Sequence, residues 1–252
     1  MKISKAQKEK NRRKIILAAV DLFSEHGFDN VTMKQIAKSA EMADSTVYKY
    51  FATKDKFLFA FHELMILDAV KGCRKAKAYD GFDLQEKIQF FLDLYLESLL
   101  NHREFVGDSL SMLMGTPLSG INRRFPARAD LTALMTEALD QAIEREEIPE
   151  FPYREAITHL MTDALLGVVL FWLKDDSEEF HQTTQMVDMS LSLLVTFLRS
   201  GLIGKVNDMA TFVIKSQMIR FIEDGSLISN LMNVRNLAKL GRAGGGLGRD
   251  AV

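Results

Sequence analysis

Polar and charged side chains near the N-terminus recur at the spacing of two short consecutive helices. Thr32 and Gln35 are three residues apart, as in the capping box that starts a helix. Residues 41–43 read as a turn, and a second short helix is predicted from about 44 to 50. Two short helices joined by such a turn form a helix-turn-helix, whose second helix enters the DNA major groove. The pattern predicts this motif over about 32–51.

The second helix of this motif has one apolar and one polar face. Val47 and Phe51 are predicted to point inward. The outward side chains are Asp44, Ser45, Thr46, Tyr48 and Lys49. Thr32 adds a hydroxyl and free backbone N–H groups at a helix start, which suits a phosphate. A single surface lysine or tyrosine is usually just solvated, but several on one short helix favour contact with DNA.

The charge of the chain is unevenly distributed. Residues 1–56 hold 12 Lys and Arg against 7 Asp and Glu, whereas the remainder holds 20 against 27. Phosphate binding needs local positive charge, so the split is compatible with DNA at one end, although basic tails are often only solubilising. Residues 2–14 are expected to form a basic arm that grades into a helix ending at Gly27.

The rest of the chain has helical spacing throughout, and the sequence predicts an all-α fold. Thr53 is expected to cap a fourth helix. Further helices are predicted near 84–102, 105–115, 128–146, 154–174, 179–200, 207–223 and 226–240. The predicted organisation is a DNA-binding domain (1–55), a helical body (56–204), extra C-terminal helices (205–240) and a disordered tail (241–252). The extra helices are expected to pack on the body, extend a dimer contact or meet another partner.

The first 65 or so residues resemble the N-terminal domain of the tetracycline-repressor (TetR) family of bacterial transcriptional regulators. The matching elements are Ile16-Leu17-Ala18-Ala19, Leu22-Phe23, Gly27-Phe28, Val31-Thr32-Met33, Ile36-Ala37, Ala40, Thr46-Val47-Tyr48-Lys49-Tyr50-Phe51 and Lys54. The resemblance covers about a quarter of the chain. It implies an all-helical homodimer with a three-helix DNA-binding head and a larger ligand-binding body. In most members a small molecule moves the two heads apart and releases the operator.

Carried over residue by residue, the resemblance assigns candidate DNA contacts. Tyr48, Lys49, Tyr50 and Lys54 would touch phosphates or base edges, and Asp44, Ser45, Thr46 and Tyr48 would read bases. Thr32 and Lys34 complete the predicted DNA-binding set. The basic arm would follow the adjacent groove, and a palindromic operator is expected for a symmetric dimer.

The turn departs from the family pattern. The family often has Gly-Val-Ser where this chain has Glu41-Met42-Ala43, and Ala43 has no side chain to cap the next helix. Asp44 is expected to cap it instead. Asp44 also stands where a basic residue is frequent: its carboxylate would repel phosphates, or accept a hydrogen bond from a cytosine amino group.

Two features of the body suggest a dimer and a pocket. Residues 154–173 and 180–198 are the most apolar helices, and in the family the corresponding pair forms a four-helix dimer interface; central helices of a monomeric core are the alternative. The chain has 13 methionines. We expect an apolar, adaptable pocket lined by Phe105, Met112, Met114, Met135, Phe171 and Trp172, with ordinary core packing as the alternative. Its ligand would be a small apolar or amphipathic effector.

The sequence lacks the patterns of several other protein classes. One cysteine, Cys73, favours a reducing cytoplasmic setting, and no apolar run reaches the roughly 20 residues of a membrane span. No zinc pattern, phosphate-binding glycine loop or nucleophile–base pair is present, so neither a cofactor nor a metal nor an enzyme is predicted. A ligand-released repressor is favoured. The alternatives are an activator or partner-controlled regulator, and a helical enzyme or carrier with a degenerate DNA-binding head.

Overall fold

A computed structural model describes residues 4–114 and 127–223, and within these ranges it contains helices and no strand, which confirms the all-α prediction. Two 3-10 turns, Tyr79–Gly81 and Glu178–Phe180, accompany the α-helices. The α-helices are α1 (Lys5–His26), α2 (Met33–Ser39), α3 (Asp44–Tyr50), α4 (Asp55–Lys75), α5 (Leu84–Leu100), α6 (Arg103–Met114), α7 (Ala127–Glu144), α8 (Arg154–Trp172), α9 (His181–Arg199) and α10 (Leu202–Glu223). The predicted helix at 226–240 and the predicted tail at 241–252 lie outside the described residues.

Helix α1 starts earlier than the sequence analysis predicts. Ser4 caps it by accepting a hydrogen bond from the Gln7 backbone N–H, so the basic stretch from Lys5 is helical and is not an extended arm. The end of α1 is as predicted. Gly27 has a φ of +79°, and the ring of the following Phe28 lies 5.0 Å from that of Phe23. The positive φ requires glycine because other residues rarely adopt it.

Helix α4 connects the three N-terminal helices with the body. It packs against α1 on one side and against α5 and α7 on the other. Arg12 forms an ion pair with Glu63 at 2.8 Å, and Arg13 pairs with Asp68, so two bridges tie α1 to α4. The prediction that Thr53 caps α4 is wrong. Lys54 occupies the cap position, and no side chain bonds to the first turn.

The body is a layered helical bundle. Helix α5 packs against α4, α7 and α9, and α8 packs against α7 and α9. Arg103, the first residue of α6, ties that helix to the end of α8. Its Nη2 donates to the carbonyls of Trp172, Leu173 and Asp175 at 2.8–3.1 Å, so one guanidinium holds the backbone at the end of α8 and just after it.

Helix α8 is also the single helix among the described residues that is long and apolar enough to span a membrane. Only 28% of its 18-residue apolar segment is buried by the rest of the described chain. One such helix is weak evidence for a membrane protein, because a core helix passes the same test.

The chain divides into two compact units, residues 1–200 and 201–252. In the second unit the described element is α10. Its large apolar side chains are exposed along most of its length, among them Val206 and Phe212. Such a helix is not stable in water without a partner surface.

Candidate nucleic-acid interface and ligand cavity

The capping box predicted for α2 is present. Thr32 Oγ1 accepts from the Gln35 backbone N–H at 3.3 Å, and Gln35 Oε1 accepts from the Thr32 backbone N–H at 2.8 Å. Ile36 and Ala37 are buried behind this turn, while Thr32 and Lys34 are exposed. The start of α2 therefore presents polar groups outward on a helix fixed at its N-terminus.

The turn between α2 and α3 explains why glycine is frequent there. Glu41 has a φ of +53°, a conformation that glycine adopts without steric cost. The backbone N–H of Met42 donates to the Ala37 carbonyl at 2.9 Å, which holds the turn against α2. Lys14 from α1 pairs with the Glu41 carboxylate and lowers the pKa of that group. The pair also neutralises the negative charge that this residue adds near the motif.

Helix α3 has the two faces that the sequence predicts. Val47 and the following Phe51 are buried, whereas Tyr48 is 53% exposed. Asp44, Ser45 and Lys49 are exposed, and Thr46 and Tyr50 are half-buried. The expectation that Asp44 caps α3 is wrong: it is the first helical residue, and Ala43 stands at the cap without a side-chain bond. The outward residues form one continuous polar surface, which we call the α3 face.

Lys54 is engaged within the head. Its ammonium donates to the carbonyls of Phe28 and Asp29 at 2.7 and 3.3 Å and lies 4.8 Å from the centre of the Phe28 ring. It therefore fastens the start of α4 to the α1–α2 loop, and a phosphate would have to compete for it. Sequence reasoning missed this role because the two partners are about 26 residues apart in the chain.

Three basic side chains near the N-terminus also form ion pairs within the protein and are therefore less available to DNA. Arg12, Arg13 and Lys14 form ion pairs with Glu63, Asp68 and Glu41. Lys5, Lys8 and Lys10 on the first two turns of α1 are exposed. Positive charge available to DNA from α1 is therefore concentrated at its N-terminal end.

The body contains an apolar cavity of about 500 Å³ between α5, α7, α8 and α9. Ser190 contributes the one polar side chain of its lining. The lining residues are Ile88, Phe91, Leu92, Leu131, Met135, Ile157, Leu160, Met161, Ala164, Leu165, Gly167, Val168, Phe171, Met186, Val187, Ser190, Leu191 and Leu194. The volume lies within the range of about 300–1,000 Å³ typical of small-molecule sites.

The six predicted pocket residues do not share this cavity. Met135 and Phe171 line it. Phe105 is instead buried against Phe23 and Phe61, with ring centres 6.0 and 5.2 Å away, and Met112 is 41% exposed and outside the lining.

The remaining two predicted pocket residues are placed differently. Trp172 is buried and lines a neighbouring cleft with Phe180. Met114 ends α6, but its side chain lies outside the described residues. Helical spacing in the sequence predicts which residues are buried, but it does not predict which neighbouring helix they contact. The sequence analysis therefore missed most of the residues that line the cavity.

A buried histidine on α4, the helix that follows the three N-terminal helices, contacts α6. His62 is 2% exposed, and its Nε2 lies 2.9 Å from the Ser109 hydroxyl. The Ser109 hydroxyl also lies within hydrogen-bond distance, 3.1 Å, of the Val106 carbonyl. Burial disfavours the charged ring and lowers the pKa of His62 to about 4. No group of three or more potential metal-ligating side chains occurs within the described ranges.

Curated relatives match mainly at the N-terminal end. The chain is 45% identical over 51 residues to the HTH-type transcriptional regulator HbdR of Aromatoleum sp. (strain CIB), covering 20% of this chain and 22% of that protein. It is 30% identical over 103 residues to the HTH-type transcriptional repressor NicS of Pseudomonas putida KT2440, covering 40% and 47%. The matched stretches thus span about a fifth to a half of these relatives.

Solved structures and family models extend the comparison to the body. A crystal structure of Thermus thermophilus FadR, a TetR-family transcriptional repressor in complex with lauroyl-CoA, matches with a TM-score of 0.56 at 20% identity, over 73% of this chain and 93% of that one. Residues 15–61 match the model for bacterial regulatory proteins of the tetR family, and residues 87–213 match the tetracyclin repressor-like C-terminal domain. With more than half of its length matched, the chain belongs to the TetR family of bacterial regulatory proteins.

Proposed function

We propose that this protein is a homodimeric transcriptional repressor that leaves a palindromic operator when a small apolar or amphipathic molecule enters its body. The observation that carries the proposal is the combination of a helix-turn-helix head and an apolar cavity within one compact unit of 200 residues. A repressor of this kind needs one surface for DNA, one for its second copy and one for the ligand. Each has a candidate in the structure.

The DNA surface is the α3 face together with the start of α2. Tyr48 and Lys49 are its exposed hydrogen-bonding and charged groups, and Thr32 presents a helix N-terminus to a phosphate. Asp44 lies at the first turn of α3, where its carboxylate would favour a cytosine amino group over a phosphate oxygen.

The dimer surface is an exposed apolar patch on α8 and α9. Its members are Leu160 (64% exposed), Phe171 (39%), Met189 (63%), Leu193 (72%) and Phe197 (44%). Contiguous apolar patches of this kind mark interaction sites on soluble proteins. The space beside Gly167 is also open, since no atom outside its own helix backbone and chain neighbours lies within 4 Å of the position of a Cβ there, but Gly167 lines the cavity as well.

The ligand is expected to be mostly apolar because the cavity offers one hydroxyl and no charge. Leu160 and Phe171 belong to both the cavity lining and the dimer patch, so the two sites border each other. A ligand that spreads α8 and α9 would thus change the angle between subunits. T. thermophilus FadR is a repressor with lauroyl-CoA bound. An acyl chain fits the character of the present cavity, with any charged headgroup left outside it.

A mobility-shift experiment with the chain's own upstream DNA tests the proposal. We expect a specific complex whose affinity falls steeply with salt, because phosphate contacts release counterions. Straight-chain acyl thioesters of increasing length should then dissociate the complex. Absence of a specific complex at low salt would refute the DNA-binding part. A complex that binds these ligands without loss of DNA affinity would refute the ligand-released repressor.

A cavity-filling variant tests the location of the ligand. Met135→Trp adds volume inside the cavity and should weaken acyl-thioester binding at least tenfold while operator affinity stays the same. Met112→Trp is the matched control, because Met112 is exposed and does not line the cavity. Equal effects of the two variants would place the ligand elsewhere.

A further inference from the structure

We infer that α10 pairs with α10 of a second copy of this chain, as a parallel two-stranded coiled coil. This inference rests on the proposed homodimer and adds a second contact to it. The starting point is exposure: Leu202, Val206, Met209, Phe212 and Val213 are 46–70% exposed. A helix that exposes this much apolar surface requires a partner.

The spacing of these side chains identifies the seam. Leu202, Val206, Met209 and Val213 follow one another at intervals of four, three and four residues, which is the a/d repeat of a coiled coil over two heptads. Ile214 and Met218, each 60% exposed, lie off this seam. Both valines occupy a positions, and the leucine and methionine occupy d positions. A β-branched residue at a with leucine at d favours two parallel strands. Phe212 flanks the seam at a g position, where it covers the core.

The charges of α10 argue against a membrane or a nucleic acid as its partner. Among the described side chains of α10 the charged groups are Lys205, Asp208 and Lys215. A helix that lies on an anionic membrane has a polar face rich in Lys and Arg, and nucleic acid requires a similar basic stripe. With two positive groups and one negative group, the described side chains of α10 form neither, and a second apolar helix is the partner that this surface fits.

The surface area that two α10 helices can bury indicates how strong their contact is. The seam and its flank supply five large side chains per copy, against about 20–30 residues per side in a standard interface, and at roughly 100 Å² each they give about 500 Å² per copy. The pair would bury roughly 1,000 Å², at the lower limit for a specific interface. This contact would not hold two copies together strongly by itself. Once α8 and α9 hold the subunits together, however, the two α10 helices have a high effective concentration and pair.

Single cysteines in the full-length protein test the pairing. In a parallel coil each a residue faces its own counterpart within the 4.4–6.8 Å between Cα atoms that a disulfide requires. Val206→Cys and Val213→Cys should therefore each give a disulfide-linked dimer under mild oxidation, in more than half of the protein. Lys215→Cys is the control: it lies nine residues, or two and a half turns, from Val206, on the opposite side of α10. The native Cys73 is fully buried and does not interfere.

A second measurement separates this inference from the proposed function. Val206→Glu with Val213→Glu should weaken dimerisation about tenfold in sedimentation equilibrium, whereas Lys215→Glu should not. If neither valine cysteine cross-links while the protein still sediments as a dimer that binds its operator, the inference fails and the proposed function stands. Cross-linking of Lys215→Cys to the same extent as the valine variants would also overturn it, because the contact would then be non-specific.

Discussion

At the residue scale, the α3 face makes the DNA-binding proposal specific. Tyr48 and Lys49 are adjacent and exposed, whereas the Lys54 ammonium is held by two backbone carbonyls. The side chains that remain outward after the head has folded are the ones able to contact DNA. Tyr48 and Lys49 are therefore stronger candidates than Lys54 for the direct contacts.

We predict that Tyr48→Ala or Lys49→Ala weakens operator binding by about 1–3 kcal/mol without changing dimerisation, because each removes one contact on an exposed surface. Fluorescence anisotropy with labelled operator measures the affinity, and sedimentation measures the dimer. Lys75→Ala is a suitable control, since this exposed lysine lies at the far end of α4. If both head variants bind like the control, the α3 face is not the DNA surface.

The buried His62 makes stability depend on pH in a defined direction. Its pKa falls from 6.5 to about 4 on folding, so the unfolded chain binds more protons between these two values. The free energy of unfolding should therefore decrease as the pH falls from 7 to 4.5, by about 2 kcal/mol from this residue. Urea unfolding of wild type and His62→Gln measures the difference in slope.

The comparison of slopes for His62 does not depend on the stability of the variant itself. His62→Gln should flatten the decline, whereas His26→Gln should preserve it, because His26 lies on the surface at the end of α1. If the free energy of unfolding of His62→Gln decreases with falling pH as steeply as that of the wild type, the pH dependence belongs to other groups.

At the scale of elements, short helices depend on their ends. Helix α2 has seven residues, too few to be stable without caps and packing. Thr32→Ala should lower the free energy of unfolding by about 1 kcal/mol, because the Gln35 backbone N–H loses the Thr32 hydroxyl that caps it. Thr53→Ala provides the matched control, since Thr53 is exposed and caps nothing. Chemical denaturation that shows equal losses for the two variants would contradict the role of the capping box.

The elements also show what sequence patterns can and cannot specify. The capping box at Thr32, the helix end at Gly27 and the inward Val47 were predictable because each depends on residues within one or two helical turns. Gly27 has the positive φ expected there, but its ψ of 149° places it outside the left-handed helical region. The roles of Lys54 and Phe105 were not, since each is decided by contacts with residues far away in the chain. The start of α1 was missed for another reason: Ser4 is a valid cap, but the basic composition after it resembled an arm.

At the scale of the whole molecule, we expect DNA affinity to depend on the proposed dimerisation. Two heads address half-sites about one helical turn apart only if the bodies hold them at a fixed separation. A monomer would keep the α3 face and lose the second half-site. The dimer patch on α8 and α9 is therefore expected to control operator affinity although it lies in the body and not on the DNA surface.

Leu193→Glu tests this coupling, because Leu193 is the most exposed member of the dimer patch, at 72%. A carboxylate there would be buried without a partner in the dimer, so we expect monomers at micromolar concentration and at least a hundredfold loss of operator affinity. Ser111→Glu adds the same charge at an exposed position of α6, a helix that contributes no residue to the patch, and should leave both properties unchanged. A Leu193→Glu protein that remains dimeric would show that the subunits meet elsewhere. One that is monomeric but binds operator normally would show that a single head suffices.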